Sequence, residues 1–189
     1  MALQSIFNSV PNPSKAEKIR DRIAEIVGFE LQQIHSYDAT IEVPNKIDIG
    51  KLSPYDPTDM PAINVSFQSA EYSNRSRKTV LADYLYTVDV YCRSPYIDNK
   101  EEIIEGDQNA RKKMEQLLGY VRLILDSECY KNLGYEESFV SNVTVKEMGI
   151  VDGTSAKDAL SHVFGRLTIQ CTANEDNYLM ERTVIIEGN

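Results

Sequence analysis

Hydrophobic and polar residues alternate most regularly between Leu81 and Arg93. Because successive side chains of a strand point to opposite faces, this alternation predicts a long strand with one buried face and one mixed face. The buried face is expected to carry Ala82, Tyr84, Tyr86, Val88, Val90 and Cys92. The mixed face is expected to carry Leu81, Asp83, Leu85, Thr87, Asp89, Tyr91 and Arg93.

A second alternating stretch, Pro61 to Phe67, precedes this strand and is joined to it by the polar run 71–78. The pattern predicts a long antiparallel hairpin with a basic loop. Arg75, Arg77 and Lys78 form a basic cluster on an acidic chain. Three interpretations stay open for it: a solvated hairpin tip, a contact with an acidic partner surface, or a contact with passing DNA.

Two stretches have the periodicity of amphipathic helices. The first begins at a capping signal around Asn12 and Ser14, and its apolar stripe is expected to end at Gly28. The second runs from Asp107 to Ser127, and its internal Gly119 is expected to allow close packing on the sheet. The apolar stripe of this second helix is Ala110, Met114, Leu117, Leu118, Val121, Ile124 and Leu125.

Residues 29–61 have a weaker pattern that prolines interrupt repeatedly. The run 29–35 is interpreted as a strand, and Thr40 to Val43 and Lys46 to Ile49 as short alternating pieces. Because proline cannot donate to a central ladder, the segment is predicted to be an irregular excursion with short edge strands. Such a long irregular segment often serves as an arm or a binding surface.

The last third of the chain returns to strand patterns at 139–148, 159–172 and 183–186, and residues 173–189 are interpreted as a C-terminal extension. Paired strands with a helix between the pairs predict one α+β domain over residues 1–189. Its sheet is expected to be antiparallel or mixed, with two main helices packed on one face and irregular arm segments.

Composition limits the classes of function. The formal net charge of −9 lowers any general attraction to nucleic acid. Cys92, Cys129 and Cys171 have no C-x-x-C spacing, and the two histidines are far apart, so we expect no metal site and no cofactor. No signal peptide or apolar run of about 20 residues is present, so a soluble protein made in a reducing cytoplasm, with no membrane partner, is expected.

The sequence contains no familiar nucleotide-binding or hydrolase motif, and we predict no catalytic residue. Asp83 and Asp89 are the candidates that a metal-dependent nuclease would use, and both are expected to be exposed carboxylates of the mixed face. His162 is expected to be a partly buried structural imidazole. The mixed face is too apolar for a plain solvent surface, and Leu81, Leu85 and Tyr91 on it are the first candidates for a subunit contact.

The order of these elements resembles that of tail terminator, or tail-completion, proteins of tailed phages. The resemblance is carried by the capped first helix, the run Met60-Pro-Ala-Ile-Asn-Val65, the strand Tyr84 to Tyr91, the helix around Met114 to Leu125 and the late pair of strands. It implies a non-enzymatic subunit of a homomeric ring in the virion, a hexamer or alternatively a dodecamer. Such a ring ends the tail tube and contacts the tail tube protein, the head-completion or connector protein and, transiently, the DNA that passes through.

Three other functions stay open at this point. A neck, connector or head-completion ring protein of the same virion region would fit the same pattern. A nuclease-like enzyme would use Asp83 or Asp89. An adaptor that contacts DNA would work through Arg75, Arg77 and Lys78.

Overall fold

The computed structural model describes residues 15–74, 79–93, 97–99, 102–104, 106–135, 139–151 and 162–176. These residues form an α+β fold, with a five-stranded sheet, a separate two-stranded hairpin and two long helices. The elements are α1 (Lys15–Tyr37), β1 (Lys46–Ile49), β2 (Ala62–Asn74), β3 (Thr79–Arg93), β4 (Ile97–Asn99), β5 (Glu102–Ile104), α2 (Gly106–Leu125), β6 (Val140–Val151) and β7 (His162–Asp176).

The large sheet is mixed and has the strand order β1-β2-β3-β7-β6. Strand β1 is parallel to β2, and every other neighbouring pair is antiparallel. The predicted hairpin is confirmed as β2 and β3, with β2 longer than predicted and bulged between Phe67 and Ser69. The alternating strand is therefore the centre of the sheet, and its predicted buried face is almost fully shielded from solvent.

Both long helices pack on one face of the sheet, as predicted. The hydroxyl of Tyr86 donates a hydrogen bond to the carbonyl of Ala16 in α1 at 2.9 Å. On β7, Gly165 lies opposite Val90, and a Cβ added to it would come within 2.4 Å of the Met114 sulfur in α2. The core therefore lies between the inner side of β3 and β7 and the apolar stripes of the two helices.

Helix α1 does not end at Gly28 but continues to Tyr37, so the predicted strand over 29–35 is wrong. Leu31 is buried and follows Val27 by one helical turn, so the apolar stripe of α1 continues past the glycine. At Gly28 an added Cβ would lie 3.1 Å from Ile47 of β1. The glycine therefore allows the helix to approach the edge strand closely, and tertiary packing overrides the local termination signal.

The irregular excursion accordingly starts at residue 38 rather than 29. Lys46–Ile49 is confirmed as a short edge strand, but Thr40 to Val43 forms no strand. The amide of Thr40 donates to the Asp38 carboxylate at 2.9 Å, which closes a turn there. Further along, a 3-10 helix spans Pro57–Asp59, and the Met60-Pro61 peptide bond is cis.

Two further boundaries differ from the prediction. Residues 173–176, assigned to a C-terminal extension, continue β7 and pair with the first residues of β3. The connection after Arg93 contains the small hairpin of β4 and β5. The predicted strand over 183–186 and residues 177–189 lie outside the described residues.

Gly119 does not provide a close contact, because an added Cβ would meet nothing within 4 Å. Gly165 has that role instead. Cys92 and Cys171 are buried free thiols, and Cys129 is an exposed one. None of the described helices is long and apolar enough to cross a membrane.

Candidate interaction surface on the open face of the sheet

The face of the large sheet opposite the helices carries the mixed side of β3, and we call it the open face. It takes Leu81, Leu85 and Tyr91 from β3, Arg166 from β7 and Asn64 from β2, which register places on the same side. Among the described residues, the segment 51–60 packs over one end of this face. The remainder of the face combines apolar, aromatic and paired polar side chains.

Asp89 and Arg166 form the charged centre of the open face. They lie directly opposite each other on β3 and β7, and Arg166 donates two hydrogen bonds to the carboxylate, at 2.7 and 2.8 Å. Asp89 is only 4% exposed, which corrects the expectation of an exposed carboxylate. These hydrogen bonds raise the pKa of Arg166 above its ordinary value. A charged carboxylate is tolerated here because a two-pronged guanidinium neutralises it.

Three aromatic rings form a row across the end of the open face. Tyr91 stacks on Phe164 at a centroid distance of 5.2 Å, and Tyr55 packs against Tyr91 at a centroid distance of 4.9 Å with the two rings tilted by 48°. The Tyr55 hydroxyl donates to the carbonyl of Ile63 at 3.1 Å. Burial, followed by the nearby Asp89 charge, raises the pKa of Tyr91, and burial also raises that of Tyr55.

Asn64 fastens the segment after β1 to the sheet. Its side-chain amide accepts from the backbone amide of Lys51 and donates to the carbonyl of the same residue, each at 3.0 Å. The Lys51 ammonium lies 4.9 Å from the centre of the Tyr55 ring and 3.9 Å from the carboxylate of Asp48. The segment 51–60 is therefore held against the open face by paired polar groups and an aromatic contact.

Asp83 and Thr87 are also occupied by neighbours. The Thr172 hydroxyl donates to the Asp83 carboxylate at 2.5 Å, and Gln68, which lies at the bulge, donates to the Thr87 hydroxyl at 2.9 Å. A metal-dependent nuclease needs carboxylates that are available to a cation. Asp83 and Asp89 are instead both engaged by side chains of the sheet.

Leu81 and Leu85 are partly buried on the open face, as the alternation predicted. Leu85 lies between Ser69 of β2 and Gln170 of β7 in the strand register. Leu81 occupies the corresponding position nearer the hairpin end. Asp83 lies between the two leucines on this face, with Glu71 of β2 opposite it, so this part of the face combines two partly buried leucines with two acidic side chains.

The basic cluster Arg75, Arg77 and Lys78 lies outside the described residues, as does the side chain of His162. In the sequence, residues 75–78 connect β2 to β3. The structure therefore brings Leu81, Leu85 and Tyr91 onto one face, whereas it does not describe the contacts of the basic residues.

Sequence reasoning missed Arg166, Phe164 and Tyr55 as parts of this surface. Arg166 and Phe164 are found through the register between β3 and β7, which pairs residues 77 and 73 positions apart. Tyr55 reaches the face through the irregular segment 51–60, for which no periodicity applies. The sequence alone indicated one part of this surface, because the alternation in the last strand places Phe164 and Arg166 on the same side of it.

The described ranges contain no group of three or more metal-binding side chains. Neither the comparison with protein-family models nor the comparison with curated proteins returned a significant match.

Proposed function

We propose that this chain is a non-enzymatic virion protein that forms a homomeric ring at the head-proximal end of a phage tail. There it ends the tail tube and joins it to the head connector. The observation that carries the proposal is the open face, where the partly buried Leu81 and Leu85 share one side of β3 with the paired Asp89, on a sheet whose other face holds both helices.

The chemistry of the open face favours a protein partner over a small polar ligand. The centres of protein interfaces are poor in unpaired charge and rich in aromatic residues and arginine. The end of the open face around Tyr91 has these properties, because Asp89 is paired with Arg166 and because Tyr91 and Phe164 stack beside them. A second copy of the chain is the partner that every assembled ring requires.

The two edges of the large sheet differ from each other, and a contact that joins the unlike edges of two copies favours a ring over a symmetric dimer. One edge is β1, four residues long and parallel to its neighbour, and the other is β6, twelve residues long and antiparallel to its neighbour. A contact between two different surfaces repeats from copy to copy and closes into a ring when the rotation permits. A hexamer is the expected size, with a dodecamer as the alternative.

A neck, connector or head-completion ring protein of the same virion region would use the same features, and only its partner differs. The nuclease-like alternative is less favoured, because Arg166 occupies both carboxylate oxygens of Asp89. Arg75, Arg77 and Lys78 lie between β2 and β3 in the sequence, and they are proposed to touch acidic protein or passing DNA.

The test combines size and capping measurements on the purified chain. Multi-angle light scattering and negative-stain microscopy are expected to show rings, and added protein is expected to shorten tail tubes assembled from the tube protein of the same phage. A strictly monomeric chain that leaves tube length unchanged overturns the proposal. Rings that bind the connector but not the tube would indicate the neck-protein alternative.

Leu85→Asp tests the open face directly. It is expected to abolish the rings, because a charge would have to be buried in the contact, while the circular dichroism spectrum stays that of the folded chain. Leu123→Asp is the matched control, since Leu123 is 67% exposed on α2, away from the open face. If the Leu85→Asp variant still forms rings, the open face is not a contact between subunits.

A further inference from the structure

Strand β6 forms one edge of the large sheet, and among the described residues no strand pairs with its outer side. An unpaired edge offers backbone amide and carbonyl groups to any extended chain of suitable sequence. Its first two thirds are interrupted by register shifts between Val140 and Asn142 and between Val145 and Glu147. Bulges of this kind discourage edge pairing, so the regular part of the edge begins after Glu147.

The regular part of this edge is apolar and exposed. Met148 is 47% exposed and Ile150 is 39% exposed, and both lie on the helix side of the sheet, opposite Leu167 and Gly165 of β7. Gly149 lies between them, and an added Cβ there would meet nothing within 4 Å. An incoming strand would thus find two apolar side chains on one side and open space on the other.

The chain contains a segment with matching properties beyond the end of β7. Thr183-Val-Ile-Ile186 has four β-branched residues in succession, which is the composition that favours strands. Strand β7 ends at Asp176, next to the beginning of β6, because Ala173 pairs with Val140. Strand β7 therefore ends beside the end of β6 that lies farthest from Met148, and residues 177–189 follow it in the sequence.

The length of chain after Asp176 determines whether the run 183–186 can pair with the β6 edge of its own copy or only with that of another copy. Met148 pairs with Leu167, nine residues before Asp176, so it lies roughly 30 Å along the sheet from the end of β7. The outer side of β6 is two strand spacings, about 10 Å, to the side. Thr183 is seven residues beyond Asp176 and can reach at most about 25 Å. The run 183–186 therefore cannot lie along Met148 to Val151 of its own copy.

We propose that the segment 177–189 of a neighbouring copy adds Thr183 to Ile186 as a strand to the outer edge of β6 at Met148 to Val151. The contact deepens the ring assembly proposed above and rests on it, because it names the element that links adjacent subunits. Alternate side chains of the added strand cover Met148 and Ile150, and the others occupy the space beside Gly149. Because the donor and acceptor surfaces differ, the contact can repeat head-to-tail from copy to copy, as a closed ring requires.

Disulfide trapping between two differently labelled full-length variants tests this contact. One variant carries Ile150→Cys, and the second carries Val184→Cys, Ile185→Cys or Ile186→Cys in turn, to cover the registers. Both also carry Cys129→Ser, because Cys129 is the exposed native thiol, whereas Cys92 and Cys171 are buried. After mixing and mild oxidation, a mixed disulfide between the two variants is expected on a non-reducing gel for at least one pairing.

Leu123→Cys is the matched control for Ile150→Cys, since it places an exposed thiol on α2, and it is expected to yield at least tenfold less mixed disulfide. No mixed disulfide with any of the three partner cysteines overturns the inference. A disulfide that forms only within a single chain, in a variant carrying Ile150→Cys and one of the others together, overturns it as well.

The outcomes separate this contact from the ring function. Rings that stop tube growth but yield no mixed disulfide would refute the segment exchange and leave the proposed function standing. Mixed disulfides in a protein that forms no ring and leaves tubes unchanged would support the exchange and refute the proposed function.

Discussion

Arg166 and Asp89 face each other across β7 and β3, and the guanidinium donates to both oxygens of the carboxylate. The side chain of Asp89 is 6% exposed, whereas that of Arg166 is 43% exposed. The pair therefore has a buried anion and a cation that covers it from the solvent side. The ion pair therefore links β3 to β7 and helps to stabilise the sheet.

Removing the cation is expected to destabilise the fold. Arg166→Ala leaves a buried carboxylate without its donors, which costs about 2 to 3 kcal/mol after allowance for the solvent exposure of the arginine. Urea unfolding followed by circular dichroism measures the loss. Arg111→Ala breaks the exposed pair with Glu115 and should cost about 0.5 kcal/mol or less. Equal losses in the free energy of unfolding for the two variants would show that the Asp89–Arg166 pair stabilises the fold no more than an exposed ion pair does.

Gly165→Ala is expected to destabilise the packing of α2 on β7 by about 1 to 3 kcal/mol. The added methyl would lie 2.4 Å from the sulfur of Met114 and 2.8 Å from Leu118, and both side chains are buried. Gly149→Ala is the matched control on the neighbouring strand and should be neutral or slightly stabilising, because its Cβ meets open space. Thermal unfolding of both variants checks the difference.

Gly119→Ala is expected to raise stability by about 0.5 to 1 kcal/mol. Gly119 lies inside α2, where glycine is a poor helix former, and an added methyl contacts nothing within 4 Å. Urea unfolding is again the measurement. A loss of stability would mean that the glycine serves a contact outside the described residues, such as one between subunits.

The thiols are expected to separate into two classes. Burial raises the pKa of Cys171 and of Cys92, each to about 12, so both stay protonated and shielded at pH 8. A thiol reagent should modify Cys129 alone until denaturant is added. In the unfolded chain these thiols ionise near the ordinary pKa of 9.0, whereas in the folded chain they ionise only near pH 12. The stability that the two buried thiols contribute is therefore fully present below pH 9, and it is lost as the pH rises toward 12. Modification of all three thiols in the native protein at pH 8 would contradict this.

Tyr55→Phe is expected to loosen the segment 51–60. The variant keeps the ring contact with Tyr91 but loses the hydrogen bond to the carbonyl of Ile63, which costs about 1 kcal/mol. Limited proteolysis between residues 51 and 60 should become faster while global unfolding changes little. Tyr37→Phe, at an exposed position at the end of α1, is the control and should leave the cleavage rate unchanged.

The sequence predicted a strand or a helix correctly where one side of the element is clearly more apolar than the other. The alternation from Leu81 to Arg93 predicted β3 and its buried face, and the apolar stripe around Met114 predicted α2. In both stretches the side chains repeat with the period of the element, so local order and burial coincide. The same alternation placed Leu81, Leu85 and Tyr91 together on the face opposite the helices, where all three are partly buried.

Tertiary structure decided the features that depend on contacts between distant residues. Gly28 is a helix-ending residue by local preference, yet α1 continues through it because β1 packs closely there. Asp89 is an exposed acid by base rates, yet it is buried because the register of β7 brings Arg166 opposite it. Apart from proline, local helix propensities are worth about 1 kcal/mol per residue or less, so packing and ion pairing between distant residues override them, and only the fold reveals those partners.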